Sequence, residues 1–81
     1  MRTKQRGISV TAAHVIRGMA QNRLRVRDTA RAMHYSDQTI SYHVKHIREL
    51  TGKDPRDFFD MCELLKMADE VLKKEEAAGN G

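Results

Sequence analysis

The polar side chains of residues 36–51 are the ones in this sequence whose types and spacing could do chemistry. Gln38, Tyr42 and Lys45 recur at intervals of four and three residues, which places them on one face if the segment is helical. An amide, a phenol and an ammonium group can read base edges or bind the phosphates of duplex DNA. The alternatives are an ordinary solvated face and, for Tyr42, a contact within its own chain. The predicted base contacts are Gln38, Ser41, Tyr42 and Lys45.

A run of arginines precedes this segment. Residues 1–48 hold ten Lys and Arg against two Asp, whereas residues 49–81 hold five against nine Asp and Glu. This asymmetry is typical of a polyanion-binding surface joined to a solvated helix, although a basic face also occurs for solubility alone. The predicted phosphate contacts are Arg23, Arg25, Arg27, Arg31, Ser36, Thr39 and Arg48.

Other chemistry finds little support in the sequence. His43 and His46 with Cys62 could supply three metal ligands, but no pair of Cys or His has the spacing of a zinc site. Ser36 and His43 are seven positions apart on one helix, about 10 Å along its axis, which is too far for a nucleophile to bond a base. No glycine-rich phosphate-binding loop occurs. We therefore predict that the protein is not an enzyme and has no metal, cofactor or small-molecule substrate.

Helices must position these side chains. Apolar residues recur at three- and four-residue intervals from Ser9 to about Asn22, and again within 26–33 and 36–51. Ser9 or Thr11 can cap the first of these helices. The sequence shows no internal repeat and no segment with the two-residue period of a strand.

The segment 34–36 is too short for anything except an abrupt change of direction between the second and third helices. Ser36 is a good N-cap for the third helix, and Gly52 fits its C-terminal end. A long fourth helix is predicted to begin at 54–55, Asp-Pro, and to end near Glu76. We predict an all-α bundle of about four helices whose second and third form a helix-turn-helix, which places its second helix in the major groove of DNA.

The length of 81 residues suits one small domain and excludes a multidomain enzyme. We expect a flexible basic arm at residues 1–8, the helix-turn-helix domain with its C-terminal helix at 9–76, and a disordered tail at 77–81. The single Cys62 cannot form an intrachain disulfide, and no apolar run is long enough to span a membrane. We therefore expect a soluble, cytoplasmic protein without a membrane partner.

The fourth helix carries two apolar stripes, more than one small core can bury. We expect its first half, with Phe58 and Phe59, to cover the helix-turn-helix, and its second half to pair with a second copy as a short coiled coil. The resulting homodimer would suit a palindromic DNA site. The alternative is that the second half folds back on the first helix of its own chain. The predicted dimerisation residues are Leu65, Ala68, Val71 and Leu72.

Residues 39–52 read TISYHVKHIRELTG. This segment resembles the C-terminal DNA-binding domain of PucR-type bacterial transcriptional regulators, whose pattern is roughly T-L-x-Y-R-L-x-R-I-x-E-L-T-G. The resemblance extends from Val26 to Leu65, about half the chain, and includes Asp-Thr-Ala at 28–30 and Asp-Pro at 54–55.

The chain departs from the family pattern at residues 36–38, where it has Ser-Asp-Gln and the family usually has His-Arg-Asn. His43 and His46 also stand where the family prefers Arg. The resemblance implies a sequence-specific double-stranded DNA-binding domain of a transcriptional regulator. Because only the arm and the first helix precede a domain that usually follows sensory domains, we expect a small freestanding regulator. The alternative is a protein-interaction module in which the fourth helix mediates assembly and the helix-turn-helix is a scaffold.

Overall fold

The computed structural model describes residues 8–80, with side chains described to residue 76. Within this part of the chain the secondary structure is helical and contains no strand, which confirms the all-α prediction. None of these helices combines the length and the apolar character that a membrane crossing requires. The helices are α1 (Val10–Gln21), α2 (Val26–Met33), α3 (Asp37–Thr51) and α4 (Phe58–Asn80).

The predicted caps of α1 and α3 are confirmed. The Ser9 hydroxyl accepts a hydrogen bond from the Ala12 N–H at 3.0 Å, and the Ser36 hydroxyl accepts one from the Thr39 N–H at 3.1 Å. Each bond satisfies a backbone donor that the first helical turn leaves without a partner. Gly52 ends α3 with a φ of 76°, a left-handed conformation that glycine adopts without steric cost.

The turn between α2 and α3 depends on His34, which has a φ of 62°. Its left-handed backbone lets the Tyr35 N–H donate back to the Ala30 carbonyl at 2.8 Å, the bond that closes a Schellman motif. The chain therefore changes direction sharply within residues 34–36, as the helix-turn-helix prediction requires.

The prediction that α4 begins at Asp54 is wrong. The helix begins at Phe58, and the Asp57 carboxylate accepts a hydrogen bond from the Asp60 N–H at 2.9 Å, in the manner of an N-cap. Asp54 instead accepts the Arg56 N–H at 2.8 Å within the preceding turn. Burial alone would raise the pKa of Asp54, but its hydrogen bonds and ion pair with Arg56 give a net lowering.

The core forms where α1 packs along α4 and the helix-turn-helix closes one end. Ile8 is buried in this core, so the predicted flexible arm is at least one residue too long. Residues 1–7 and 81 lie outside the described part of the chain, and the backbone of 77–80, within the predicted tail, belongs to α4. The largest fully buried side chains of the helices include Ile16, Met19, Ile40, Ile47 and Leu64.

The assignment of Ala68 and Leu72 to a dimer seam is wrong, because both are buried in the core of their own chain. The apolar stripe of α4 that faces the core consists of Met61, Leu64, Ala68 and Leu72, and the second half of the helix packs against α1. Leu65 and Val71 are half-buried at the edge of this core. The alternative, in which this half folds back on the first helix, describes the structure.

The two phenylalanines do not cover the helix-turn-helix as predicted. Phe58 is 66% exposed and Phe59 is 78% exposed. At 100° per residue, Phe58 lies on the flank of the buried stripe, and Phe59 lies on the far side of α4 from it.

Candidate nucleic-acid interface

The predicted base-contact residues share one exposed face of α3. The opposite face of the helix is fixed by Ile40, Val44 and Ile47, which are buried in the core. Because this stripe anchors α3 along its length, the outward side chains project from a rigid element. The structure therefore brings together Gln38, Ser41, Tyr42 and Lys45, all of them exposed.

Tyr42 lies at the middle of this face and is 63% exposed. Its ring is nearly parallel to that of His46, with 5.9 Å between centroids and an interplanar angle of 9°. The His43 ring meets Tyr42 edge-on at 5.5 Å. The sequence interpretation treated the two histidines as possible metal ligands and as departures from the family pattern. The four-residue spacing of Tyr42 and His46 was a signal that these two side chains could meet on the surface of α3.

His43 is the less exposed of the two histidines. Burial, and secondarily the nearby charge of His46, lower the pKa of His43 below its ordinary value of 6.5. The neutral imidazole is therefore favoured beside Tyr42. Within the described residues, no three His, Cys, Asp or Glu side chains converge as metal ligands would.

The arginines of α2 border the start of α3. Arg27 and Arg31 are exposed one turn apart and line a hollow together with Tyr35 and Asp37. The Arg27 Nε lies 3.7 Å from an Asp37 carboxylate oxygen, with both side chains more than half exposed. These guanidinium groups lie beside the turn that leads into α3, where a DNA backbone would pass if α3 entered the major groove.

Arg23 and Arg25 occupy the connector before α2 and are both exposed. Arg23 has a φ of 60° and lines a groove with Leu24 and Phe58, on the side of the molecule formed by α1 and α4. Arg25 precedes α2, and its carbonyl accepts the Thr29 N–H at 3.0 Å. Arg23 therefore borders a different hollow from the one lined by Arg27 and Arg31.

Three predicted phosphate contacts lie on α3 or at its start. The hydroxyls of Ser36 and Thr39 are 2.9 Å apart, and Ser36 also serves as the N-cap, so both are already engaged within the protein. Arg48 lies about 18 Å further along the helix axis from Ser36. It lines a hollow of mixed charge with Lys45 and Asp54, among others.

A family model of the PucR C-terminal helix-turn-helix domain matches residues 12–67, well over half of the chain. No curated protein and no solved structure matches this chain. The matched residues include all of α2, the turn and α3, the elements that carry the exposed face described above. This match confirms the resemblance found in the sequence. The family is regulatory and non-enzymatic, and its function is DNA binding and transcription regulation. The chain belongs to the PucR C-terminal helix-turn-helix domain family.

Proposed function

We propose that this protein binds double-stranded DNA in a sequence-specific manner and acts in transcription regulation, with α3 in the major groove. One observation carries the proposal: Gln38, Tyr42 and Lys45 share the exposed face of the second helix of a helix-turn-helix. The major groove is about 12 Å wide, the diameter of an α-helix with its side chains.

Base readers and backbone anchors occupy different elements in this proposal. On α3, the Gln38 amide can bond adenine through two atoms, and the Lys45 ammonium can bond guanine. On α2, Arg27 and Arg31 contact phosphates, which fixes the register of the domain on the duplex without reading sequence. Of the remaining predicted phosphate contacts, Arg25 fits this arrangement best, since it is exposed at the start of α2.

Alanine substitutions separate the two roles. Gln38→Ala and Lys45→Ala should each lower discrimination between a specific and a scrambled duplex by about 1 to 3 kcal/mol. Arg27→Ala and Arg31→Ala should weaken binding to both duplexes alike. Fluorescence anisotropy titrations on the two duplexes give the affinity ratios directly.

Matched controls for these readers lie elsewhere on the surface. Gln21→Ala and Lys74→Ala remove the same side chains from exposed positions on α1 and α4 and should leave the affinity ratio unchanged. Equal losses on both duplexes from all four interface variants would show that α3 is not the reader.

The alternative, a protein-interaction module, has a specific observation in its favour. Phe58 and Phe59 are exposed on α4, whereas the proposed reading face belongs to α3. Their exposure supports a protein partner in addition to DNA and does not weaken the assignment of α3.

A further inference from the structure

Phe58 and Phe59 form an exposed apolar surface at the start of α4. Their rings contact edge-to-face, with 5.6 Å between centroids. Most of both rings is open to solvent, and Phe58 borders the buried Met61 at the edge of the core. Large exposed apolar side chains in contact with one another mark interaction sites more often than isolated ones do.

A groove of about 410 Å³ lies beside Phe58. Ala20 and Leu24 form one wall, from the end of α1 and the connector, and Phe58, Met61 and Leu65 form the other, from α4. Together with Phe59, these residues are here termed the Phe patch. A projecting pair of rings and an apolar groove therefore occur on one surface.

We propose that the Phe patch binds a second copy of this chain in a two-fold symmetric dimer. A two-fold interface uses the same patch on both subunits, so the patch must contain both the projection and the groove that receives it. The Phe patch meets this condition. The inference does not depend on DNA binding.

An antiparallel pairing of two α4 helices gives this dimer a definite register. With the two-fold axis at Cys62, which is exposed in the same groove, Phe59 lies opposite the partner's Leu65. Phe58 lies opposite the partner's Lys66, whose alkyl stem and ammonium can cover an aromatic face.

Charges at the rim suit this pairing. In the antiparallel register the partner's Glu63 comes level with Met61, where Arg23 lines the groove. A rim that carries Arg23, Glu63 and Lys66 also favours a self-complementary contact over a strongly acidic or strongly basic partner.

The area available predicts a weak dimer. The exposed parts of four phenylalanine side chains amount to about 500 Å², against about 1,200 to 2,000 Å² in a stable interface. The walls of the groove and the charged rim must supply the rest of the buried surface area. We therefore expect a dimer that dissociates within the micromolar range.

Sedimentation velocity over a series of micromolar concentrations tests the proposal on the full chain without DNA. The wild type should shift from monomer to dimer as concentration rises. The double variant Phe58→Ser/Phe59→Ser should remain monomeric with unchanged helical circular dichroism. Leu50→Ser, which removes an exposed leucine outside the Phe patch, should dimerise like the wild type.

Oxidative cross-linking provides a second readout that uses no phenylalanine variant. Two Cys62 residues near the axis should form a disulfide between copies, because that bond needs Cα atoms within about 7 Å. In the double variant Cys62→Ser/Lys74→Cys, the thiol lies far from the proposed two-fold axis. Oxidation of this variant should therefore not enrich a disulfide-linked dimer. A wild type that is monomeric at every concentration, or a dimer that survives loss of both phenylalanines, would overturn the proposal. So would selective cross-linking through position 74.

Discussion

Tyr42 is an exposed residue of α3 whose ring contacts two neighbouring aromatic rings. The parallel His46 ring and the edge of His43 leave it fewer orientations than a solvated tyrosine has. A side chain already ordered before binding loses less conformational entropy at an interface. We infer that His46 acts as a positioning residue for Tyr42.

The variant His46→Ala should lower the ratio of specific to scrambled DNA affinity, because Tyr42 loses its stacking partner. His46→Phe should restore the ratio, since it keeps the aromatic face without the imidazole nitrogens. Anisotropy titrations measure both ratios, and the ring resonances of Tyr42 in nuclear magnetic resonance spectra report the stack in the free protein. Loss of discrimination in both variants would assign His46 to direct contact with DNA instead.

The lowered pKa of His43 predicts that folding stability depends on pH. Its pKa is lowered by burial and by His46, so the unfolded chain binds a proton more tightly than the folded one. The contribution of His43 to the free energy of unfolding is therefore fully present above the pKa of about 6.5 in the unfolded chain. It is lost as pH falls through the lower pKa of the folded chain. Urea unfolding on both sides of that range should show lower stability at the acidic side, and His43→Gln should reduce the difference.

Glutamine at position 43 keeps a polar side chain of similar reach without a titrating ring. An unfolding free energy whose pH dependence is the same in the wild type and in His43→Gln would contradict this account. His14→Gln makes the same substitution at an exposed position of α1 and controls for the exchange of histidine for glutamine itself.

At the scale of the elements, the second half of α4 belongs to the core of a single chain. Leu72 is 4% exposed, in contrast to Leu50, which is 44% exposed. Leu72→Ala should lower the free energy of unfolding by about 2 to 4 kcal/mol, because it leaves a cavity between α1 and α4. Leu50→Ala should cost less than about 0.5 kcal/mol. Chemical denaturation measures both.

The Leu72→Ala variant also tests whether Leu72 lies in the core or in the dimer interface that the sequence pattern suggested. Leu72→Ala should sediment like the wild type, since Leu72 faces its own chain. If Leu72→Ala kept nearly the wild-type stability but no longer dimerised, Leu72 would belong to an interface between copies and not to the core.

The periodicity of α2 and α3 predicted their bounds and faces, because each carries a single apolar stripe. Clear end signals were present only for α3, since Arg25 at the start of α2 makes no side-chain cap. The sequence offered Ser36 as the N-cap and Gly52 as the C-cap of α3, and the structure has both in these roles. In α4 two apolar stripes compete, and periodicity alone does not say which one faces α1. Two aspartates, at 54 and 57, could each cap that helix, and only tertiary packing decides between them.

The exposed polar face of α3 was predictable for the same reason. Gln38, Ser41, Tyr42 and Lys45 are placed by the stripe that opposes them. The separation of Arg23 from the arginines of α2 was not predictable, because it depends on the left-handed backbone of Arg23 and Leu24. Nor did the pattern predict the Tyr42 stack, which depends on side-chain rotamers.

At the scale of the whole molecule, the two proposed functional surfaces lie on different elements. The proposed DNA-binding face consists of α3 and the arginines of α2, and the Phe patch consists of the start of α4 with the end of α1. The Arg17 guanidinium pairs with Asp69 at 2.9 Å, which ties α1 to α4 and partly neutralises one cation of the basic first half. Arg23 is the predicted phosphate contact that borders the Phe patch.

Selection of bound sequences from a pool of random duplexes tests the central claim most directly. The full chain is incubated with the pool, bound duplexes are recovered and sequenced, and the selection is repeated with Gln38→Ala in parallel. We predict that the wild type enriches a defined motif and that Gln38→Ala enriches the same motif with one or two positions relaxed. A recovered pool as random as the starting pool, or a motif unchanged by every substitution on the exposed face of α3, would contradict sequence-specific recognition by this helix.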